Sequence, residues 1–218
     1  MSIITIERKV LEKNDELAKR NREMFQLYEN FVINLVSSPG SGKTSLLEAT
    51  VKELRSKIAI AVIEGDVQTD LDAQRISKLD IPVVQIVTNG GCHLEAKLVH
   101  DAMQSMDLSR TDLLVIENVG NLVCPANYDL GEALKVVVLS ITEGDDKPLK
   151  YPSMFRNASV LIVNKIDLLP YVDSQVAQLK QNALLINPKL QIFETSCRTG
   201  EGIAAWCDWL LLQIPVKG

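Results

Sequence analysis

No stretch of ~18 consecutive apolar residues occurs in this chain of 218 residues, which excludes a helical membrane span. The opening Met1-Ser2-Ile3-Ile4-Thr5-Ile6-Glu7-Arg8-Lys9 lacks the apolar core of a secretory signal. Both absences predict a cytoplasmic protein with no membrane partner. Basic residues are the minority: 23 Lys and Arg against 28 Asp and Glu give a formal net charge of −5. That balance argues against non-specific nucleic-acid binding. There are only four cysteines, Cys92, Cys124, Cys197 and Cys207, expected as reduced thiols rather than bridges. No internal repeat and no low-complexity linker divides the chain. One α/β domain with a short extension therefore accounts for its length. A hydrophobic content of 46% is ample for a core.

What is present is an alternation of short apolar runs and helix-like segments. Strands are predicted near 31–36, 58–63, 82–87, 112–117, 135–141, 159–163 and 190–194, and helices near 43–55, 70–79, 93–106, 172–186 and 201–213. This pattern gives a mostly parallel central sheet flanked by helices. Ligands of such folds sit at the carboxyl ends of the strands. Ahead of it, Val10, Leu17, Met24, Leu27 and Tyr28 recur at near-helical spacing, predicting an N-terminal amphipathic helix packed on the domain. The expected division is 1–29 for this helical extension and 30–218 for the domain.

The run Phe31-Val32-Ile33-Asn34-Leu35-Val36 leads into Ser37-Ser38-Pro39-Gly40-Ser41-Gly42-Lys43-Thr44 and then a helix-like segment from Ser45 to Arg55. Strand, small-residue loop and helix are the context of a P-loop NTPase. Backbone N–H groups of Gly40, Ser41, Gly42, Lys43, Thr44 and Ser45 would cradle phosphates at the positive end of a helix. Lys43 would reach the β- and γ-phosphates and the Thr44 hydroxyl would sit on Mg²⁺. The usual opening Gly is replaced by Ser37, which keeps the turn only at negative φ.

A second motif selects the base. Val160-Leu161-Ile162-Val163 runs into Asn164-Lys165-Ile166-Asp167, the guanine-reading pattern of GTPases. The Asp167 carboxylate accepts from guanine N1–H and its exocyclic amine. Adenine would leave that carboxylate buried and unpaired. The Lys165 stem can lie along the base. The plainer role for Asp167 is a helix cap.

Between these motifs, Thr111-Asp112-Leu113-Leu114-Val115-Ile116 leads into Glu117-Asn118-Val119-Gly120. The Gly120 N–H is the expected γ-phosphate contact. Glu117 stands where such proteins usually carry Asp, and its extra methylene favours a water-mediated Mg²⁺ contact. Asn121 follows Gly120, so the water-positioning Gln of Ras-like proteins is missing. Asp66 and Asp72, in Glu64-Gly65-Asp66-Val67-Gln68-Thr69-Asp70-Leu71-Asp72, are the candidates to hold the attacking water or Mg²⁺, with Asp66 preferred. Asp70 and Asp72 also suit a helix start.

Asn89-Gly90-Gly91-Cys92-His93-Leu94 and Asn118-Val119-Gly120-Asn121-Leu122-Val123-Cys124-Pro125 each follow a predicted strand. In a parallel sheet both loops emerge on one side, bringing Cys92, His93 and Cys124 together near the phosphates. Two thiolates and an imidazole suit Zn²⁺ or Ni²⁺, leaving a fourth position for water or a second subunit. The alternative is inert cysteine packing and a His93 that merely starts a helix. Cys197 and Cys207 read as structural, and His100 as helix surface.

Taken together, these stretches, with Glu143-Gly144-Asp145-Asp146-Lys147-Pro148, resemble the HypB family of nickel-insertion GTPases in hydrogenase maturation over nearly the whole chain. The resemblance implies a GTPase using GTP/GDP and Mg²⁺ that dimerises with GTP. It implies Ni²⁺ or Zn²⁺ on Cys92, His93 and Cys124 at the dimer interface. Nickel would pass to a hydrogenase large-subunit precursor, with a nickel-binding maturation protein as partner. Base contacts transfer to Asn164, Lys165 and Asp167, and Thr195-Ser196-Cys197-Arg198 resembles the family's second base loop. Lys147 and Lys150 are candidates to reach a partner's nucleotide, or are simply solvated charges. No Cys or His precedes Cys92, so no N-terminal nickel store is expected in these residues. The urease GTPases use a Cys-Pro-His spacing, whereas Cys92 and His93 are adjacent. Other classes remain alternatives: a small-molecule phosphotransferase, or a GTP-regulated interaction protein without metal delivery.

Overall fold

The computed structural model describes residues 6–68 and 71–215. Its centre is a sheet of seven strands: β1 (Phe31–Ser37), β2 (Ile60–Asp66), β3 (Val83–Val87), β4 (Leu113–Glu117), β5 (Leu134–Ser140), β6 (Val160–Asn164) and β7 (Gln191–Glu194). The order is β3-β2-β4-β1-β5-β6-β7, and every pairing is parallel. Parallel strands covered on both faces read as unbroken apolar runs. Accordingly Leu113–Glu117 and Val160–Asn164 are buried throughout.

Alternation along each strand divides the core. Val62 and Val115 face α2 (Lys43–Leu54) and α8 (Ile203–Gln213), packing with Leu46, Leu47, Val51, Trp206 and Leu210. Ala61, Ile63, Leu114 and Ile116 face the other way, onto α4 (Ala96–Met103) and α1 (Ile6–Leu27). Beyond β5, the same face is covered by α6 (Pro152–Asn157) and α7 (Val176–Ile186) through Met154, Phe155, Leu179 and Ala183. The remaining helices are α3 (Leu71–Ser77) and α5 (Lys147–Lys150). Among the described residues, no helix is long and apolar enough to cross a membrane.

The seven strands lie where the apolar runs predict them. Differences occur at element ends. β2 runs on through Glu64-Gly65-Asp66, so that motif is strand and not a following loop. Helix α4 begins at Ala96, leaving His93 in the loop ahead of it. Lys147 and Lys150 lie on α5 rather than in a loop, because Pro148 fits the first turn of a short helix.

The N-terminal helix exists, but its buried seam differs from the predicted stripe. Asn14, Ala18, Asn21 and Phe25 are buried, while Val10, Leu27 and Tyr28 are exposed. Two asparagines can occupy that seam because each finds backbone partners. Asn14 Nδ2 donates to Asp129 O and its Oδ1 accepts from Ala96 N. Asn21 Nδ2 donates to Ala96 O and Leu130 O. His100, expected on the surface, is half-buried with Nδ1 3.0 Å from Asn21 Oδ1. Leu17 and Met24 of the predicted stripe are half-buried, and Met24 and Phe25 pack on the core, so apolar packing and polar satisfaction together fix this helix.

Candidate functional site

The phosphate-loop residues line a cavity of about 500 Å³ at the carboxyl ends of β1, β2 and β4. Gly40 through Ser45, Glu64, Gly65, Asp66, Glu117, Asn118, Val119, Gly120 and Lys165 all contribute. Ser37 ends β1 and is absent from the positive-φ residues, so the substituted first corner costs no left-handed strain. Gly42 does need to be glycine. Its φ is +97°, and a Cβ there would come within 2.5 Å of Asn164 Nδ2. Gly120 lies against the phosphate loop, where an added Cβ would stand 3.2 Å from the Pro39 backbone.

Glu117 draws the catalytic candidates together. Its Oε1 accepts from Thr44 Oγ1 at 2.7 Å and lies 3.7 Å from Lys43 Nζ. Asp66 lines the same cavity, with Oδ1 accepting from Gln68 N at 3.1 Å. A hydroxyl and two carboxylates are hard oxygen donors of the kind Mg²⁺ takes. Asp70, and the side chain of Asp72, lie outside the described residues, so only Asp66 of these acids is placed in the cavity.

A second cavity of about 490 Å³ continues from Gly42 and Ser45 past Asn164, Lys165, Asp167, Cys197 and Arg198. Lys165 adopts φ +62°, a left-handed conformation that turns its chain back so that Nζ donates to Gly40 O at 2.6 Å. Asn164 Nδ2 donates to Ser41 O at 3.0 Å, and its Oδ1 accepts from Thr195 Oγ1 at 3.2 Å. Asp167 Oδ1 accepts from Ser196 Oγ at 2.6 Å; Lys165, not Asp167, occupies the cap position of the turn that follows. Ser196 is fully buried behind Asp167 and does not line the cavity itself. Cys197 Sγ is 3.4 Å from Asn164 Oδ1, and burial raises its thiol pKa. Lys147 lies outside both cavities, 3.7 Å from Glu143 Oε2 and over the Tyr151 ring.

Cys92, His93 and Cys124 do converge. Their ligand atoms lie within 4.8 Å of one another, the one such group among the described residues. Two elements place them: the turn closed by Thr88 Oγ1 donating to Gly91 O, and a 3-10 turn over Cys124–Asn127. Asn121 Oδ1 accepts from Val123 N and, at 3.4 Å, from Cys124 N. Cys92 is held above its usual thiol range, first by hydrogen bonding with Cys124 and then by burial. Burial pushes His93 down and Glu95 only partly opposes it, so the imidazole is neutral and a metal-competent donor near pH 7. His93 Nδ1 is 3.5 Å from Cys92 Sγ, and its ring centroid is 4.0 Å from that of Tyr128. His93 Nε2 is buried without a hydrogen bond, with Glu95 Oε1 4.0 Å away. Soft sulfur with imidazole, neutral and adjacent, fits Ni²⁺ or Zn²⁺. Tyr128, its ring tilted against that of His93, and the turn-holding Asn121 were not legible as site residues, because their roles depend on contacts across the fold.

The parallel sheet, phosphate loop and guanine motif define a P-loop nucleotide-binding domain. Residues 31–194 match the family model described as the CobW/HypB/UreG nucleotide-binding domain. The chain is 53% identical over 208 residues to the hydrogenase maturation factor HypB of Rhizobium leguminosarum bv. viciae, covering 95% of this chain and 70% of that protein. The crystal structure of HypB from Archaeoglobus fulgidus superimposes with a TM-score of 0.88 at 38% identity, covering 94% of this chain and 100% of that one. HypB from Helicobacter pylori in complex with nickel gives a TM-score of 0.88 at 37% identity, covering 94% and 99%. The chain belongs to the CobW/HypB/UreG family and, within it, to the HypB hydrogenase maturation factors, which are GTPases.

Proposed function

We propose that this chain hydrolyses GTP to control a nickel site and so assists nickel insertion into a hydrogenase precursor. The observation that carries this reading is covalent proximity. Cys124 lies four residues beyond Gly120, on the same loop that lines the phosphate cavity. A loop drawn toward the γ-phosphate changes the spacing of Cys124 from Cys92 and His93, so the nucleotide state sets the donor geometry.

The roles of the residues follow from their placement. Backbone N–H groups of Gly40 to Ser45 receive the phosphates, and Lys43 balances charge at the β- and γ-positions. Mg²⁺ bound beside Thr44, Asp66 and Glu117 would neutralise phosphate charge. Asp66 is favoured over Asp72 for orienting the attacking water, and Gly120 N–H senses the γ-phosphate. Asn164 braces Lys165 and the phosphate loop; Asp167, held by Ser196, reads guanine beside Cys197 and Arg198. With Asn121 rather than a water-positioning Gln after Gly120, turnover belongs to the slow intrinsic range.

Cys92, His93 and Cys124 hold the cargo metal. Two subunits paired about a two-fold axis in the GTP state would present both donor sets to each other, with Lys147 reaching the partner's nucleotide. We place the protein in the cytoplasm, with a nickel-binding maturation protein and the hydrogenase large-subunit precursor as partners. Residues 1–29 are assigned as a helical extension of the 30–218 domain. Anaerobic titration with Ni²⁺ and Zn²⁺, in GDP and in a non-hydrolysable GTP analogue with oligomeric mass followed, tests the reading. Metal affinity that differs between the states is expected. Equal affinities would leave a GTPase whose metal site is not under nucleotide control.

A further inference from the structure

The side chain of Asn118 joins the two chemistries, and its oxygen is used twice. Asn118 Oδ1 accepts from Val119 N, beside Gly120, and from Leu94 N, beside His93, both at 3.0 Å. Its Nδ2 donates to Asn34 Oδ1 at 3.2 Å. Asn118 is almost fully buried, at 1% exposure, and Leu94 is at 0%. Leu94 is also keyed into β2: a Cβ on Gly65 would fall 2.7 Å from Leu94 Cδ1. The Cys92-His93 segment is therefore seated on two strand ends that line the phosphate cavity.

The Cys124 side is tied differently, to the interior of the sheet. Asn34 Nδ2 donates to Glu132 Oε1 at 3.1 Å, and Glu132 Oε1 lies 3.7 Å from Lys135 Nζ. Lys135 faces Asn34 across the β1–β5 pair. Its buried ammonium donates to Pro125 O at 3.2 Å, Ala126 O at 3.3 Å and Tyr128 O at 3.0 Å. Those carbonyls belong to the turn that begins at Cys124. One half of the donor set is thus fastened to the sheet interior, the other to an amide that also holds the nucleotide loop.

We propose that Asn118 is the positioning residue that passes movement of the Val119-Gly120 segment to Cys92 and His93, a second coupling route beside the covalent one to Cys124. This rests on the reading above, in which Gly120 senses the γ-phosphate and the three donors bind metal. What decides it is that an orphaned buried N–H bears the full desolvation penalty of that group. Leu94 N therefore follows the Asn118 oxygen rather than abandoning it when Val119 moves. Cys92-His93 is then moved by a route other than the covalent one through Asn121 to Val123.

The test uses the full chain, with anaerobic Ni²⁺ titration in GDP and in a non-hydrolysable GTP analogue. The parent should show nickel affinities differing by about fivefold or more between the two states. Asn118→Ala should bring that ratio to within about twofold. An independent readout is the Leu94 amide resonance of the metal-free parent, which should shift between the two nucleotide states. If Asn118→Ala does not fold, the Leu94 resonance decides. An unchanged ratio in Asn118→Ala, or a Leu94 amide indifferent to the nucleotide, overturns the inference and leaves the metal-site reading intact. A parent that binds no nickel in either state overturns that reading, and the inference with it.

Discussion

The base end of the groove and its metal end are built on different terms. At the base end the functional side chains hold one another: Ser196 on Asp167, Thr195 on Asn164, Asn164 on the phosphate loop. Such a site is preorganised, and its binding geometry is already formed without ligand. At the metal end, Cys92 and His93 bond chiefly to their own neighbours, and their positions are fixed through backbone turns and through Asn118. The first arrangement suits reading, where a wrong partner must be refused. The second suits adjustment, where the same donors must be offered at two spacings. Position in the sheet explains the division: β6 and β7 carry the base end, while the metal loops hang beyond β3 and β4.

The largest expected effect lies between the two ends. Lys43→Ala removes the ammonium that balances phosphate charge in both ground and transition states, and it should weaken GTP binding and hydrolysis together. A loss of about 10²–10³-fold in kcat/KM is expected. Steady-state hydrolysis with nucleotide affinity measured in parallel checks it. A loss confined to KM would place Lys43 in uniform binding rather than in the chemistry.

Asp167→Asn challenges the claim that the base end is rigid. An amide cannot accept from both guanine donors, so GTP preference should fall by about a hundredfold or more, with xanthosine triphosphate gaining. Competition between the two nucleotides measures it. If GTP stays equally preferred, Ser196 is not presenting Asp167 to the base.

Cys124→Ala tests the other end. Loss of an outer-shell partner costs about 10–100-fold in metal affinity, so removing a direct donor should cost at least about a hundredfold for nickel and zinc. The comparison is sharpest if nucleotide affinity moves by far less in the same variant. Direct metal titration and nucleotide binding on one preparation provide both values.

How much of this was legible in the sequence depended on where the signal lay. The seven strands and the phosphate and guanine loops are local patterns, and each falls where its residues predict. The meeting of Cys92, His93 and Cys124 also followed, because a parallel sheet sends successive loops to one side. What could not be read was the set of buried polar partners. Asn14, Asn21, Asn34 and Asn118 look like surface or loop residues in a linear pattern, and only the fold supplies the carbonyls and amides that satisfy them. The same blindness misplaced part of the α1 seam: of the predicted stripe, Leu17 and Met24 are half-buried, but Val10, Leu27 and Tyr28 are exposed and the asparagines are buried instead. Lys135 and Glu132 were invisible for the same reason, since a charged residue in a strand, or in the turn ahead of it, reads as solvent-facing.

The smallest expected effect concerns the anchoring of α1 to the segment that follows Cys124. Arg22 Nη2 donates to Asp129 Oδ1 at 2.9 Å and Oδ2 at 2.7 Å, and Asp129 Oδ1 also accepts from Gly131 N. Burial alone would raise the Asp129 carboxyl, but these bonds together outweigh it and hold the folded pKa below the ordinary aspartate value. A group with a depressed folded pKa stabilises the protein above its unfolded pKa, and that contribution disappears as pH falls through the folded value. The pair is partly exposed, so its worth is about 1 kcal/mol or less despite the close geometry. Asp129→Asn keeps an acceptor for Gly131 N while removing the charge. Its deficit in denaturant midpoint relative to the parent should therefore be present at pH 7 and shrink progressively as pH falls below the ordinary aspartate pKa of about 3.9. A deficit that persists unchanged at low pH would mean that Asp129 holds α1 by packing and neutral hydrogen bonding, not by its charge.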